Sequence, residues 1–212
     1  MLDLGCGTGM LACRIAEQIG PVTGLDPAAG MLRVARSRAN ADKVEWIEGD
    51  ARRLDLNRRF NLIYLTGHAF QVFLTDEDAL AMLRGAARHL TPRGRLAFDT
   101  RNPAARAWQD WTAGNTEIVE VPGFGRVEET VDTTFDEATG IAAMKHRQRF
   151  LDRGTNQVGH SRIRFTGKDR VAALIEEAGL SLEHCYGWWD RTPFGPQSKE
   201  IIVFAKRRSS AA

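Results

Sequence analysis

Cysteine is scarce in this chain of 212 residues: only Cys6, Cys13 and Cys185 are present. An odd number in no metal-ligand spacing excludes a disulfide framework and suits a reducing compartment. Excess charge is missing too. The 29 Lys+Arg and 27 Asp+Glu leave a formal +2, without the basic stripe of a nucleic-acid surface. The arginines (Arg33, Arg36 and Arg38, then Arg52, Arg53, Arg58 and Arg59) mostly sit between acidic neighbours and read as solvated faces. No apolar run approaches the length of a membrane span. The opening Met1-Leu2-Asp3-Leu4 has neither the charged nor the apolar region of a signal peptide. The expectation is a cytoplasmic protein with no membrane or nucleic-acid partner.

What is present is ordinary globular composition, 43% hydrophobic and 26% charged, enough for one core and a single domain spanning 1–212. Leu2 and Leu4 lead into Gly5-Cys6-Gly7-Thr8-Gly9. A helical stripe of Leu11, Ala12, Ile15, Ala16 and Ile19 follows and stops at Gly20-Pro21. Apolar strands at 22–25, 44–47, 60–65 and 95–99 alternate with helices carrying Met31, Leu32, Val34 and Ala35, then Leu80, Leu83, Ala87 and Leu90. Thr75 caps the latter, and Thr91-Pro92-Arg93-Gly94 reads as a turn. This alternation predicts a doubly wound, mostly parallel Rossmann-like α/β sheet. From 115 to 165 the helical stripes vanish and β-rich runs recur, which predicts an antiparallel β insertion after the fifth strand. A last helix opens at Thr166-Gly167. Two closing strands, 181–188 and 200–205, precede a frayed tail at 206–212. Trp188 and Trp189 fall on opposite faces of the first of these strands, so one is expected in the core.

A glycine-rich turn between the first strand and the first helix lets a ligand approach the backbone and aims the helix N-terminus at it. Met10 occupies the place of the third glycine of a dinucleotide fingerprint, which disfavours NAD. Asp26 ends the second strand, where a carboxylate can grip a ribose diol. Asp50 ends the third, where an adenine edge would lie.

With these residues in place the resemblance becomes specific. Met1-Leu2-Asp3-Leu4-Gly5-Cys6-Gly7-Thr8-Gly9 resembles motif I of the class I S-adenosylmethionine (SAM)-dependent methyltransferases. Gly24-Leu25-Asp26-Pro27-Ala28-Ala29-Gly30-Met31-Leu32 is similar to their second motif, and Glu48-Gly49-Asp50-Ala51 to their third. Leu90-Thr91-Pro92-Arg93-Gly94-Arg95-Leu96 resembles the entry to their fifth strand. The likeness implies SAM as cofactor, with Gly5, Cys6, Gly7 and Gly9 carrying it on their backbone. Asp3 would order the loop and meet the methionine amino group. Asp26 and Pro27 would hold the ribose, and Met31, Asp50 and Ala51 the adenine. Leu65 and Thr66 would offer backbone to the cofactor amino group. The family usually carries a helical segment before motif I. Here the chain begins inside the first strand, so it reads as the greater part of such an enzyme.

Methyl transfer asks mainly for alignment, exclusion of water and removal of a proton. Two segments follow the fourth and fifth strands, Gly67-His68-Ala69-Phe70-Gln71 and Asp99-Thr100-Arg101-Asn102, and face the acceptor side. His68 is either a catalytic base or a polar wall residue. Arg101 either binds an anionic group of the substrate or caps local carbonyls. The insertion resembles the roof of small-molecule methyltransferases, sugar-amine N-methyltransferases among them, though a homodimer surface or a plain extension fits equally. The expected enzyme methylates a nitrogen or oxygen of a small-molecule acceptor. The alternatives are a protein or RNA methyltransferase and a SAM-binding pseudoenzyme that acts as a partner's scaffold.

Overall fold

The computed structural model describes residues 1–111, 114 and 116–208. Asn115, where the insertion was expected to begin, and residues 209–212 of the expected tail lie outside the described residues. In chain order the elements are β1 (Leu2–Leu4), α1 (Met10–Gln18), β2 (Val22–Asp26), α2 (Ala29–Arg36), β3 (Val44–Glu48), β4 (Phe60–Leu65), α3 (Asp76–His89) and β5 (Leu90–Arg101). The chain then forms β6 (Glu117–Val121), β7 (Gly125–Asp136), β8 (Ile141–Phe150) and β9 (Thr155–Arg164). It closes with α4 (Lys168–Glu177), β10 (Leu180–Tyr186) and β11 (Glu200–Arg207).

Seven strands make the main sheet in the order β10-β11-β5-β4-β1-β2-β3. The five from β5 to β3 run parallel, while β11 pairs antiparallel with β5 and β10 antiparallel with β11. The chain steps from β1 outward to β2 and β3, then crosses to β4 on the other side. A crevice therefore opens at the carboxyl ends of β1 and β4, where open α/β sheets bind ligands. Short β1 is wholly buried between its neighbours. The larger core joins it to Met82 and Leu83 of α3 and to Val171, Leu174 and Ile175 of α4. Full burial of such a side chain stabilises by about 1.5–3 kcal/mol. A smaller core of Ala12, Cys13, Val22, Ala41 and Val44 lies under α1.

Strands β6 to β9 form a separate antiparallel sheet in sequence order. It docks through aromatic rings. Trp108 stacks on Phe135 with centroids 3.7 Å apart and meets Phe165 edge-on at 4.7 Å. Gln71 Nε2 donates to the Arg164 carbonyl (3.2 Å), and Asp76 at the start of α3 pairs with Arg164 and Arg170.

Several expectations need correction. The turn at 91–94 belongs to β5, where the register shifts between Phe60↔Leu90 and Leu62↔Arg95; the turn residues form a bulge and the ladder resumes beyond them. Of the expected α1 stripe, Ala12 is buried and Ile15 and Ala16 pack against the small core, while Leu11 is 37% exposed and Ile19, just past the helix, 71% exposed. Strand β9 starts at Thr155 rather than near 161. It is an edge strand with mostly exposed residues, so no apolar alternation announces it. Trp188 and Trp189 lie beyond β10 and both are exposed, so neither is core. Lys206 and Arg207 are strand residues rather than frayed tail.

Candidate active site

The glycine loop is shaped by its own backbone. Gly5 N–H donates to the Leu25 carbonyl (2.8 Å) and Gly9 N–H to the Cys6 carbonyl (2.9 Å). Asp26 then clasps it to the next strand. One of its oxygens accepts the Gly7 N–H and the other the Ala28 N–H, each at 2.8 Å. Gly7 and Gly9 both adopt left-handed backbone, at φ +53° and +73°, for different reasons. A Cβ on Gly9 would overlap the Trp46 ring and come within 2.8 Å of Ala35 Cβ. A Cβ on Gly7 would meet nothing within 4 Å. The first glycine lets the loop pack down; the second leaves room above it for a ligand.

Trp46, which the sequence reading passed over, is the platform under this loop. Its indole N–H donates to the Ala41 carbonyl (3.0 Å), and it stands in register opposite Gly24 on the neighbouring strand. A glycine inside a strand signals close approach of another group, and that signal was available.

The crevice beside the loop has a volume of about 200 Å³ and opens to solvent. Its walls include Leu4, Gly5, Asp26, Pro27, Asp50, Ala51, Leu65 and Phe73. Met31, 46% exposed on α2, and Thr66 are not among its lining residues. Asp3, beside Leu4 of the wall, is itself buried. Burial, reinforced by nearby Asp26, raises its carboxyl to a pKa of about 7 against the opposing influence of the Tyr64 hydroxyl. That hydroxyl is itself buried without a hydrogen-bond partner of good geometry among the described residues. Asp50 accepts from Arg52 through backbone (2.9 Å) and guanidinium (2.6 Å), which holds its carboxyl below the usual range. Burial pushes the Cys6 thiol up to about 12, so Cys6 supplies no thiolate near neutrality. The open space over Gly7 and the carboxylates Asp26 and Asp50 in the crevice wall fit a nucleoside.

Past β4, His68 also takes left-handed backbone, at φ +64°. Its N–H donates to Asp99 Oδ1 (3.2 Å). Its Nε2 lies 3.1 Å from Glu200 Oε2 and 3.6 Å from Asp99 Oδ2. Asp99 comes from β5 and Glu200 from the start of β11, which pairs Glu200 with Arg101. Burial raises the Asp99 carboxyl above its ordinary value despite the neighbouring histidine. Arg101 donates to Gln71 Oε1 (2.8 Å) and lies 5.0 Å over the Trp111 ring. It is thereby held as a wall of a second cavity, shared with Val131, Met144, His146 and Ile163 of the antiparallel sheet. Ala69, next to His68, lines the first crevice. The cluster of His68, Asp99 and Glu200 thus neighbours a lining residue of each space, Ala69 of the first and Arg101 of the second, without itself lining either. Glu200 had drawn no attention in the sequence, although it is the charged residue that precedes the apolar run Ile201–Ala205 of β11.

Comparison with known proteins agrees with this architecture. A family model described as a methyltransferase domain matches residues 1–94. A cypemycin N-terminal methyltransferase from a Streptomyces species is 28% identical over 98% of this chain and 83% of its own length. A demethylmenaquinone methyltransferase of Listeria monocytogenes is 30% identical over 94% of this chain and 78% of its own. The solved structure of an S-adenosylmethionine-dependent methyltransferase from Clostridium acetobutylicum superposes with a TM-score of 0.84. It does so at 16% identity over 98% of this chain and 83% of that one. The chain therefore belongs to the class I SAM-dependent methyltransferases, with SAM as its cofactor.

Proposed function

We propose that this enzyme methylates an amine of a small molecule. The observation that carries the reading is the cluster beyond β4, where two carboxylates, Asp99 and Glu200, face one histidine and one guanidinium. With His68 neutral the cluster is net negative, which favours an ammonium over a neutral hydroxyl. The cypemycin relative, named for an N-terminal acceptor, supports an amine here as well.

Bound SAM supplies a methyl group made electrophilic by its sulfonium. This chain's residues do the rest. The backbone of Gly5, Cys6, Gly7 and Gly9 carries the cofactor, Asp26 and Pro27 hold its ribose, and Asp3 meets its amino group. Asp50 and Ala51 would meet adenine and Leu65 would offer backbone, while Met31 and Thr66 stay outside the lining. The acceptor lies in the second cavity, with its nitrogen turned toward His68. An acceptor bound as an ammonium would first give a proton to His68, and the lone pair so freed would then take the methyl group, the C–S electron pair staying with the cofactor's sulfur. The antiparallel sheet roofs the cavity and keeps water out.

The test pairs acceptors that differ in the nucleophile alone, with S-adenosylhomocysteine release as readout. Glucosamine is set against glucose, and a tripeptide with a free N-terminus against its acetylated form. Turnover is expected with the amine of a pair. A hydroxyl partner methylated as well as the amine would sink the reading.

A further inference from the structure

We infer that Glu200 is a positioning residue for His68, holding the ring in its Nε2–H form so that Nδ1 is the nitrogen left to take the acceptor's proton. The inference rests on the proposed role of His68 as base. Its ground is geometric. A neutral imidazole carries one N–H and one bare nitrogen, and which is which follows from the partners of each. Nε2 lies 3.1 Å from Glu200 Oε2. A carboxylate oxygen accepts, so Nε2 donates. Nδ1 has no hydrogen-bond partner among the described residues. Asp99 does not compete for Nε2, because 3.6 Å is too long for a hydrogen bond. Its Oδ1 instead accepts the His68 backbone N–H (3.2 Å) and so holds the residue in left-handed backbone. The arrangement thus divides the work: Asp99 fixes where the backbone of His68 lies, and Glu200 fixes which ring nitrogen bears the proton.

The charged groups around the ring come from two elements, Asp99 and Arg101 from β5 and Glu200 from β11, while His68 itself stands in the turn after β4. Arg101 is turned toward Gln71 and Trp111, which leaves Glu200 to the histidine. In the reaction the acceptor nitrogen gives its proton to Nδ1. The imidazolium so formed has Nε2–H on a carboxylate, a charge-assisted bond that strengthens as the proton arrives. This is the arrangement in which a carboxylate orients a histidine without taking its proton.

The experiment reads the tautomer directly and needs no knowledge of the acceptor. Long-range ¹H–¹⁵N spectra of the S-adenosylhomocysteine-bound protein, with His68 assigned through H68Q, should show the neutral ring protonated at Nε2 with Nδ1 bare. In E200Q the amide offers an N–H to Nε2, so the ring should shift toward the Nδ1–H form. E200D, which retains a carboxylate, should keep the Nε2–H form and serves if E200Q fails to fold. A wild-type ring protonated at Nδ1, or an E200Q ring unchanged from wild type, overturns the inference. So does stoichiometric zinc uptake, seen as an EDTA-reversible movement of the Nε2 signal, because the carboxylates would then be metal ligands. A ring of the expected form, with no amine preference among acceptors, would leave this inference standing and remove the amine reading alone.

Discussion

Asp26 Oδ2 accepts the Gly7 N–H at 2.8 Å, so the carboxylate at the end of the second strand also holds the loop of the first. Its other oxygen is bound to Ala28 N–H. Asp26→Ala should therefore do two things at once. SAM binding should weaken by about 2–3 kcal/mol, through loss of a charged acceptor for the ribose. Stability should fall by about 2 kcal/mol, as two partly buried N–H groups lose their acceptor. Calorimetric titration and urea unfolding separate the two effects. An unchanged dissociation constant in a folded variant would show that the ribose lies elsewhere.

Gly7 and Gly9 make a matched pair of tests. Gly9→Ala combines left-handed strain with a clash against Trp46 and Ala35, and should cost about 2–4 kcal/mol of stability. Gly7→Ala has only the strain and should cost about 1 kcal/mol. Its methyl group projects into the space meant for the cofactor, so it should lose more SAM affinity than stability. Trp46→Leu should relieve part of the Gly9→Ala cost in a double-mutant cycle. Strict additivity would mean that Trp46 is not what forbids the methyl group.

The parallel sheet, the glycine loop and the strand-end carboxylates were legible because each is local. Strand, turn and helix occupy adjacent residues, and Asp26 and Asp50 stand at fixed distances beyond it. Trp46 and Glu200 were not. Trp46 acts on a loop nearly forty positions away, and its alternating strand reads as ordinary. Glu200 reaches His68 only because β11 inserts antiparallel beside β5, a pairing that periodicity does not encode. The α1 stripe misled because apolar spacing alone does not say which side chains a short helix will leave in water, as exposed Ile19 shows.

Asp3 sets a pH dependence with a definite sign. Its carboxyl is raised from 3.8 to about 7 by burial, so the folded state prefers it protonated. Its contribution to stability is full below about pH 4 and is lost as the pH rises through about 7. Asp3→Asn keeps the neutral form at every pH. Urea unfolding of the cofactor-free protein should therefore show the variant gaining on wild type by a few kcal/mol between pH 4 and 7. SAM affinity should fall in the same variant. A stability difference that does not change with pH would refute the burial argument.

Removing residues 117–164 and joining the flanks with a short Gly-Ser linker tests the roof. The crevice walls lie within residues 4–73. SAM affinity should thus stay within about tenfold, or ~1.4 kcal/mol. Turnover should be lost, since Val131, Met144, His146 and Ile163 leave the second cavity. If light scattering instead shows a dimer becoming a monomer with activity kept, the sheet is an assembly surface.

The place of Glu200 in the chain has a consequence for biogenesis. Every residue lining the crevice precedes position 74, so a nascent chain holds those pieces early on the ribosome. The carboxylate beside His68 arrives only with β11, the strand that lies between β5 and β10. A ribosome-bound or prematurely terminated chain would carry the glycine-loop half without that carboxylate. Under the role proposed for Glu200, competence to transfer a methyl group would come late in synthesis, with the strand that joins β10 to the sheet.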